Sequence, residues 1–111
     1  MVVAQRLRRG EVWLICLDPT VGAEIKKTRP CLIVSPPEIN DHLRTALVAP
    51  LTSKGFAAPF RLPVAFGGTS GLVLLDQLRA VDKARLVKRL GEIDEAALMA
   101  TLDALREAFT L

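Results

Sequence analysis

Short apolar runs separated by proline, glycine and charged residues occupy most of the chain, and this pattern predicts strands joined by turns. The first run, Glu11–Leu17, is rich in β-branched and aromatic residues and ends at an Asp-Pro turn. A second run, CLIVS, begins after Pro30 and is closed by Pro36-Pro37, which predicts a buried strand of about six residues. Arg44–Pro50 (RTALVAP) predicts a third strand.

Four more strands are predicted from shorter patterns. Phe60–Phe66 alternates, but Pro63 removes one hydrogen-bond donor, so this strand is expected at a sheet edge or a bulge. The glycine-rich segment Gly67–Gly71 (GGTSG) predicts a hairpin turn, because glycine supplies the positive φ that such turns need. The remaining strands are expected at Leu72–Leu75, at Arg79–Val81 and within Arg85–Ile93.

The last segment has a different, helical periodicity. Asp94 can cap a helix, Glu95 complements its first turn, and apolar residues recur at spacings of four, three and four. These apolar residues are Leu98, Leu102, Leu105 and Phe109. Together the elements predict an α+β, mainly β fold: a small, strongly bent antiparallel sheet or partly open barrel, covered by one terminal helix.

One long segment fits none of these elements. Asp18–Thr28 (DPTVGAEIKKT) mixes proline, glycine and charged residues without sustained periodicity, so it is expected to be a loop of about eleven residues. Loops that long in small domains are often functional.

Composition narrows the class of protein. The 111 residues, half of them hydrophobic, predict a single domain over 1–111 and exclude a disordered chain. The longest uncharged stretch, Leu62–Leu75, has 14 residues and is too short to span a bilayer as a helix. The start, MVVAQRLRRG, lacks the order of a secretory leader, so a cytoplasmic location is expected. Cys16 and Cys31 lie in apolar runs and are expected to be reduced core residues.

Charge is distributed unevenly along the chain. The net charge is +3, but the acidic C-terminal segment leaves residues 1–93 with 14 basic and 8 acidic side chains. A surplus of this size supports weak, salt-sensitive attraction to a polyanion.

The residue inventory excludes most catalytic machinery. His42 is the only histidine, no metal-ligand cluster is apparent, and neither common phosphate-binding glycine motif occurs. The remaining candidates are polar residues at strand ends, each of which has an ordinary structural interpretation as well. Arg29 can simply pair with an acid, Thr52-Ser53 can satisfy a turn, and Asp76-Gln77 can end a strand.

Taken in order, three segments resemble one family. RGEVWLICLDPTVGAEIKKTRPCLIVSP, then VAPLTS, then DQLRAVD closely resemble the MazF/PemK toxin endoribonucleases of bacterial toxin–antitoxin pairs. The resemblance runs from Arg9 to the terminal helix. It implies an SH3-like, partly open barrel and a homodimer. It also implies metal-free and cofactor-free cleavage of single-stranded RNA, which inhibits translation and growth, and a cognate antitoxin with an acidic, partly disordered segment.

The resemblance also implies roles for individual residues. Attack by the ribose 2′-OH would leave a 2′,3′-cyclic phosphate and a 5′-OH. Arg29 matches the family's essential arginine and is expected to stabilise the transition state, because its high pKa makes proton transfer costly. Thr52 matches the second essential position, and Glu24 is expected either to act as the base or to orient Arg29. Ser53, Asp76 and Gln77 are expected to support them.

Two positions depart from the plasmid-borne members, in which a His and an Arg join the catalytic set. They are Ala23 and Leu74 here, which puts a base role for Asp76 in doubt and predicts closer similarity to chromosomal MazF. Phosphate binding is expected from basic residues that flank the motifs, and base stacking is expected to be limited because the aromatic residues lie mostly in apolar strands. The basic residues are Lys26, Lys27, Lys54, Arg61 and Arg79.

Two other functions stay open at this point. The same fold supports toxins that act on DNA gyrase through the C-terminus, where a tryptophan is present. This chain ends Phe109-Thr110-Leu111, and its only tryptophan is Trp13. The second alternative is a catalytically silent barrel that binds RNA or a peptide.

Overall fold

The computed structural model describes residues 6–111, which form a curved antiparallel sheet of seven strands followed by a helix. The expected bent sheet with a terminal helix is confirmed, and the sheet is not closed into a barrel. Residues 1–5, part of the segment from which the absence of a secretory leader was expected, lie outside the described residues. The strands are β1 Glu11–Cys16, β2 Thr28–Ile33, β3 Thr45–Thr52, β4 Arg61–Phe66, β5 Thr69–Leu74, β6 Arg79–Asp82 and β7 Leu86–Glu92, and the helices are α1 Pro37–Asn40 and α2 Glu95–Ala108.

The long strand β3 organises the sheet. The strand order is β4-β5-β3-β2-β1-β7, and β6 pairs with the first half of β3, from Thr45 to Val48. The last two residues of β3, Leu51 and Thr52, pair instead with β5. One strand therefore bends from one part of the sheet into another, and Thr52 lies at its far end.

Both faces of the central strands are buried. Alternate residues of β1 to β3 enter two separate apolar clusters, with Ile15 and Ile33 in the first and Val12 and Leu32 in the second. Strands β6 and β7 contribute Val81 and Leu86 to the first cluster, whereas α2 packs Leu98 and Leu105 on the second. Burial on two faces explains why these strands appear in the sequence as continuous apolar runs.

The buried carboxylate of Glu11 joins the N-terminal turn to the sheet. Its Oε1 accepts from the Arg8 amide (2.8 Å) and from Trp13 Nε1 (3.2 Å), and its Oε2 accepts from Arg89 Nε of β7 (2.6 Å). Burial raises the pKa of Glu11, but the hydrogen bonds from Arg89, Trp13 and Arg8 outweigh it and hold that pKa below its usual value. The RGEVW motif is thus a structural element in this chain.

The start of β5 was predicted wrongly, and one short helix was missed. Strand β5 begins at Thr69, which pairs with Phe66, so the turn is only Gly67-Gly68, both with positive φ (59° and 77°). That is the conformation of a tight two-residue hairpin. The short helix α1 was not predicted, because its four residues carry no periodicity, and only Pro37 at its first turn favours it.

The remaining predictions for the helix and the edge strand have mixed outcomes. Asp94 caps α2 by accepting from the Ala97 amide at 2.7 Å, as expected. Phe109, however, lies past the end of the helix and is 77% exposed, so it is not part of the packed face. Strand β4, which contains Pro63, is an edge strand as expected. No helix within residues 6–111 is both long and apolar enough to cross a membrane.

The cysteines are both free, as expected. Cys31 is a core residue, and its burial raises the pKa of its thiol to about 12. Cys16, at the end of β1, is only half-buried, so the expectation of a core position is wrong for that residue.

Candidate active site

Arg29 and Thr52, the two positions predicted to be essential, meet where β2 and β3 separate. Cys31 pairs with Pro50, and continuing this antiparallel register by two residues places Arg29 opposite Thr52. Pro30 and Pro50 carry no N–H, so the ladder has fewer donors at this point. The gap between the strand ends opens into a cavity of about 370 Å³ that Arg29 and Thr52 both line.

The cavity has a polar rim and an apolar wall. Half-buried Arg29 and Thr52 and exposed Ser53 form part of the rim, whereas Leu51 and Val64 lie buried in the wall. Pro30 and the β4–β5 hairpin supply the rest of the lining, the hairpin through Phe66, Gly67, Thr69, Ser70 and Gly71. Among residues 6–111, Arg29 is the single charged side chain in this lining, and it faces a largely neutral cavity.

Gly71 sets the position of Thr52. A Cβ atom added at Gly71 would lie 2.5 Å from the carbonyl oxygen of Thr52, so only glycine allows this approach of β5 to β3. This role was not predicted, because GGTSG indicates a turn that includes Gly71 and no local pattern reports the approach to Thr52.

Backbone geometry orients Arg29. The residue belongs to β2 and not to the preceding loop, and its Nε donates to the Lys26 carbonyl at 3.1 Å. Lys27 adopts a positive φ of 68°, and its carbonyl accepts from the Leu17 amide at 2.9 Å, which closes the loop. Within residues 6–111 no acid forms an ion pair with Arg29, so the guanidinium is not neutralised there.

Glu24 is not brought into this cavity. Its Oε1 accepts from the Val21 amide at 2.6 Å, and the residue lines a second depression of about 160 Å³ with Asp76, Gln77 and Arg79. The carbonyl of Lys26, and not Glu24, holds Arg29. The predicted catalytic set is thus divided between two neighbouring depressions.

Asp76 and Arg61 neutralise each other. Two hydrogen bonds join the half-exposed side chains, Arg61 Nε to Asp76 Oδ1 at 3.0 Å and Arg61 Nη2 to Asp76 Oδ2 at 2.7 Å. The hydrogen bonds from Arg61 hold the pKa of Asp76 below its usual value. Arg61, expected to bind phosphate, is therefore already paired with a carboxylate.

Gln77 and two arginines fasten the β1–β2 loop. Gln77 Oε1 accepts from the Ile25 amide at 2.7 Å, and Arg79 Nη1 donates to the Leu17 carbonyl at 3.1 Å. Arg85, which the sequence did not single out, donates to the carbonyls of Cys16 and Asp18. These contacts assign the DQLRA segment to loop positioning.

The remaining predicted positions lie at the surface or in the core. Lys26, Lys27 and Lys54 are exposed along the loops that flank Arg29 and Thr52. Of the two positions that differ from the plasmid-borne members, Ala23 is exposed and Leu74 is buried in β5.

Known proteins share both the sequence and the fold. The chain is 42% identical over 110 residues to Endoribonuclease PemK of Escherichia coli, covering 94% of this chain and 83% of that protein. The crystal structure of MazF from Deinococcus radiodurans superposes with a TM-score of 0.84 at 26% identity, covering 96% of this chain and 99% of that one. Identity is thus higher to PemK than to this MazF, which does not support the expected closer similarity to chromosomal MazF.

A second structure includes a bound protein. An endoribonuclease from a mycobacterial species, in complex with its cognate antitoxin, superposes with a TM-score of 0.77 at 25% identity and covers 92% of this chain and 93% of that one. The family profile of PemK-like, MazF-like toxins of type II toxin–antitoxin systems matches residues 8–109. This chain therefore belongs to the PemK-like, MazF-like family of type II toxins.

Proposed function

We propose that this chain is the toxin of a type II toxin–antitoxin pair, a metal-independent endoribonuclease that cuts single-stranded RNA at short sequences. The observation that carries the proposal is the placement of Arg29 and Thr52 on separating strand ends, facing one cavity. The endoribonuclease names of the relatives support the same activity.

The reaction requires two proton transfers and one exchange at phosphorus. The ribose 2′-oxygen loses its proton and bonds to the adjacent phosphorus, and the bond from phosphorus to the 5′-oxygen breaks. The departing 5′-oxygen takes up a proton. The products are a 2′,3′-cyclic phosphate and a 5′-OH, so no water is consumed in this step.

Arg29 supplies the electrostatic stabilisation. Its Nε is occupied by the Lys26 carbonyl, which aims the guanidinium and leaves the terminal nitrogens for two phosphate oxygens. A guanidinium holds its protons tightly near neutrality, so the side chain is a poor proton donor. Charge accumulating on the phosphorus oxygens is therefore the feature that Arg29 recognises.

Thr52 acts as a hydrogen-bond donor to the reacting group. Its Oγ1 already accepts from the Lys54 amide at 3.2 Å, so the hydroxyl proton is directed to another acceptor. A phosphate oxygen held by Arg29 is such an acceptor. Exposed Ser53 offers a second hydroxyl at the same rim.

Glu24 is our candidate for the proton acceptor. Its Oε1 is held by the Val21 amide, whereas Oε2 makes no hydrogen bond within the described residues. In this proposal the reacting 2′-OH lies at the border between the cavity and the neighbouring depression, which Glu24 lines together with Arg79 and Gln77. Exposed Lys26, Lys27 and Lys54 would bind flanking phosphates.

The same proposal extends to partners and location. We place the toxin in the cytoplasm as a homodimer, which would cover the apolar side chains Val87 and Leu90 that the edge strand β7 exposes. A cognate antitoxin would block the RNA site with an acidic, partly disordered segment. The mycobacterial relative in complex with its cognate antitoxin supports an antitoxin partner for this chain. Sedimentation at micromolar concentration tests the dimer, and a monomer would contradict it.

The decisive experiment is cleavage of a long single-stranded RNA in EDTA. Wild type is compared with Arg29→Ala and with the matched control Arg44→Ala, which removes an exposed arginine at the other end of β3. We expect recurrent cuts with cyclic-phosphate and 5′-OH ends in wild type and Arg44→Ala. The cleavage rate should fall on the order of 10²- to 10³-fold in Arg29→Ala only. Folded wild type that makes no cuts, or cutting that survives Arg29→Ala, would overturn the proposal.

A further inference from the structure

One exposed aromatic ring lies close in sequence to Thr52 of the candidate active site. Trp13 is only 6% exposed, and Phe60 and Phe66 pack on the second apolar cluster, as expected for strand aromatics. Phe56 is 92% exposed in the segment between β3 and β4. The expectation that stacking on exposed aromatics is limited therefore does not hold for this position.

The segment that carries Phe56 is fastened at both ends. At its start the Lys54 amide donates to Thr52 Oγ1 at 3.2 Å. At its end the backbones of Ala58 and Arg61 exchange two hydrogen bonds, of 3.2 Å and 2.9 Å. Only residues 55–57 lie between these attachments, so the ring is presented at the tip of a short, closed loop.

The distance to the reacting centre is limited by the chain itself. Phe56 lies four positions after Thr52, so their Cα atoms lie at most about 14 Å apart. A nucleotide next to the phosphate held by Arg29 and Thr52 can therefore reach the ring.

The surrounding charge favours a polyanion over another apolar partner. Lys54 lies two residues from the ring and Arg29 lines the adjoining cavity. Phe109, the other strongly exposed phenylalanine, follows α2 beside acidic Glu107 and offers no comparable setting. Cationic grooves combined with exposed aromatic rings are how proteins bind single strands, with bases stacked on the rings.

We propose that the Phe56 ring is a stacking platform for a nucleobase that flanks the cleaved phosphate. This inference rests on the proposed ribonuclease function and adds a positioning residue to it. Phe56 touches no reacting atom, so its contribution is expected in substrate binding and not in the chemical step.

The test uses a synthetic single-stranded RNA that spans one mapped cut, with 2′-deoxyribose at the cut nucleotide to remove the nucleophile. Fluorescence anisotropy gives Kd for wild type and the variants Phe56→Ala, Phe56→Leu and Phe56→Trp, with Phe109→Ala as the matched control. We expect Phe56→Ala to weaken binding about 5- to 150-fold. Tryptophan should restore binding and leucine should not, because stacking requires an aromatic face.

A scan of abasic nucleotides identifies the stacked base. At one RNA position, removing the base should weaken RNA binding by wild type by the same factor as the Phe56→Ala substitution does. The same abasic RNA should bind Phe56→Ala no more weakly than the intact RNA does. On cleavable RNA, Phe56→Ala should raise KM while kcat is retained. Unchanged Kd in Phe56→Ala, equal rescue by leucine, an equal loss in Phe109→Ala, or no such abasic position would each overturn the stacking proposal.

Failure of the ribonuclease function gives a different result. If wild type cuts nothing, the same Kd comparison is made on an unmodified single-stranded RNA of mixed sequence, where the aromatic requirement still tests stacking. Wild type that cuts RNA with no Phe56 effect retains the function and refutes the stacking. Wild type that neither cuts nor binds RNA refutes both.

Discussion

Replacing Gly71 by alanine tests whether backbone approach at β5 positions the catalytic hydroxyl. The added Cβ would lie 2.5 Å from the Thr52 carbonyl oxygen, whereas ordinary contacts begin at 3.4 Å, so the strands must separate by about 0.9 Å. Overpacking of this kind costs about 1–3 kcal/mol of folding stability. A displacement of about 1 Å at a catalytic group costs on the order of 10²-fold in rate.

Two measurements separate the effect on folding from the effect on catalysis. Urea unfolding gives the loss of stability, and kcat on a mapped RNA substrate is measured for variants that are folded under assay conditions. Ala65→Ser is the matched control, because it adds one atom at an exposed position of β4 that does not line the cavity. Gly71→Ala with a kcat and unfolding free energy equal to those of wild type would refute the positioning role.

Two further substitutions test charged groups. Glu11→Gln should lower the free energy of unfolding by about 1–3 kcal/mol, since the amide nitrogen cannot accept from Arg89. Because the folded-state pKa of Glu11 lies below its ordinary value of 4.5, its contribution is complete above that pH and is lost as pH falls through the folded-state pKa. The unfolding free energies of wild type and Glu11→Gln should therefore converge at acid pH. A difference in urea midpoint that persists below the folded-state pKa of Glu11 would contradict this. Asp76→Asn should reduce kcat less than tenfold, because Arg61 binds the carboxylate and lowers its pKa, which makes Asp76 a weak base. A loss on the order of 10²-fold in kcat would instead show that Asp76 takes the proton.

The sheet was largely predictable because local patterns determine most of its strands. Runs such as Glu11–Leu17 are largely apolar on both faces, so they predict buried strands without information about the strands that pair with them. The capping of α2 by Asp94 is equally local. In contrast, the role of Gly71 depends on a carbonyl 19 positions earlier in the chain, and no local pattern reports it.

The candidate site was predictable in residue identity but not in arrangement. The family motifs pointed to Arg29 and Thr52, and the register of β2 with β3 brings them to one cavity. Glu24 lies near Arg29 in sequence but faces another depression, because a hydrogen bond within its own turn directs its carboxylate. Phe56 follows Lys54-Gly55 outside every predicted strand, whereas Phe60 begins an alternating run and is packed, so the difference in exposure follows the local pattern.

Because β3 bends from one part of the sheet into another, the site that it carries is assembled late in synthesis. Arg29 and Thr52 both lie in the first half of the chain, but the strands that hold them in place come later: β5 beneath Thr52, and the segment with Gln77 and Arg79 beside the loop that leads to Arg29. Strand β7, which pairs with β1, is made later still. A nascent chain therefore carries both residues well before they can be held together, so the ribosome that makes the toxin finishes most of its work before the site exists.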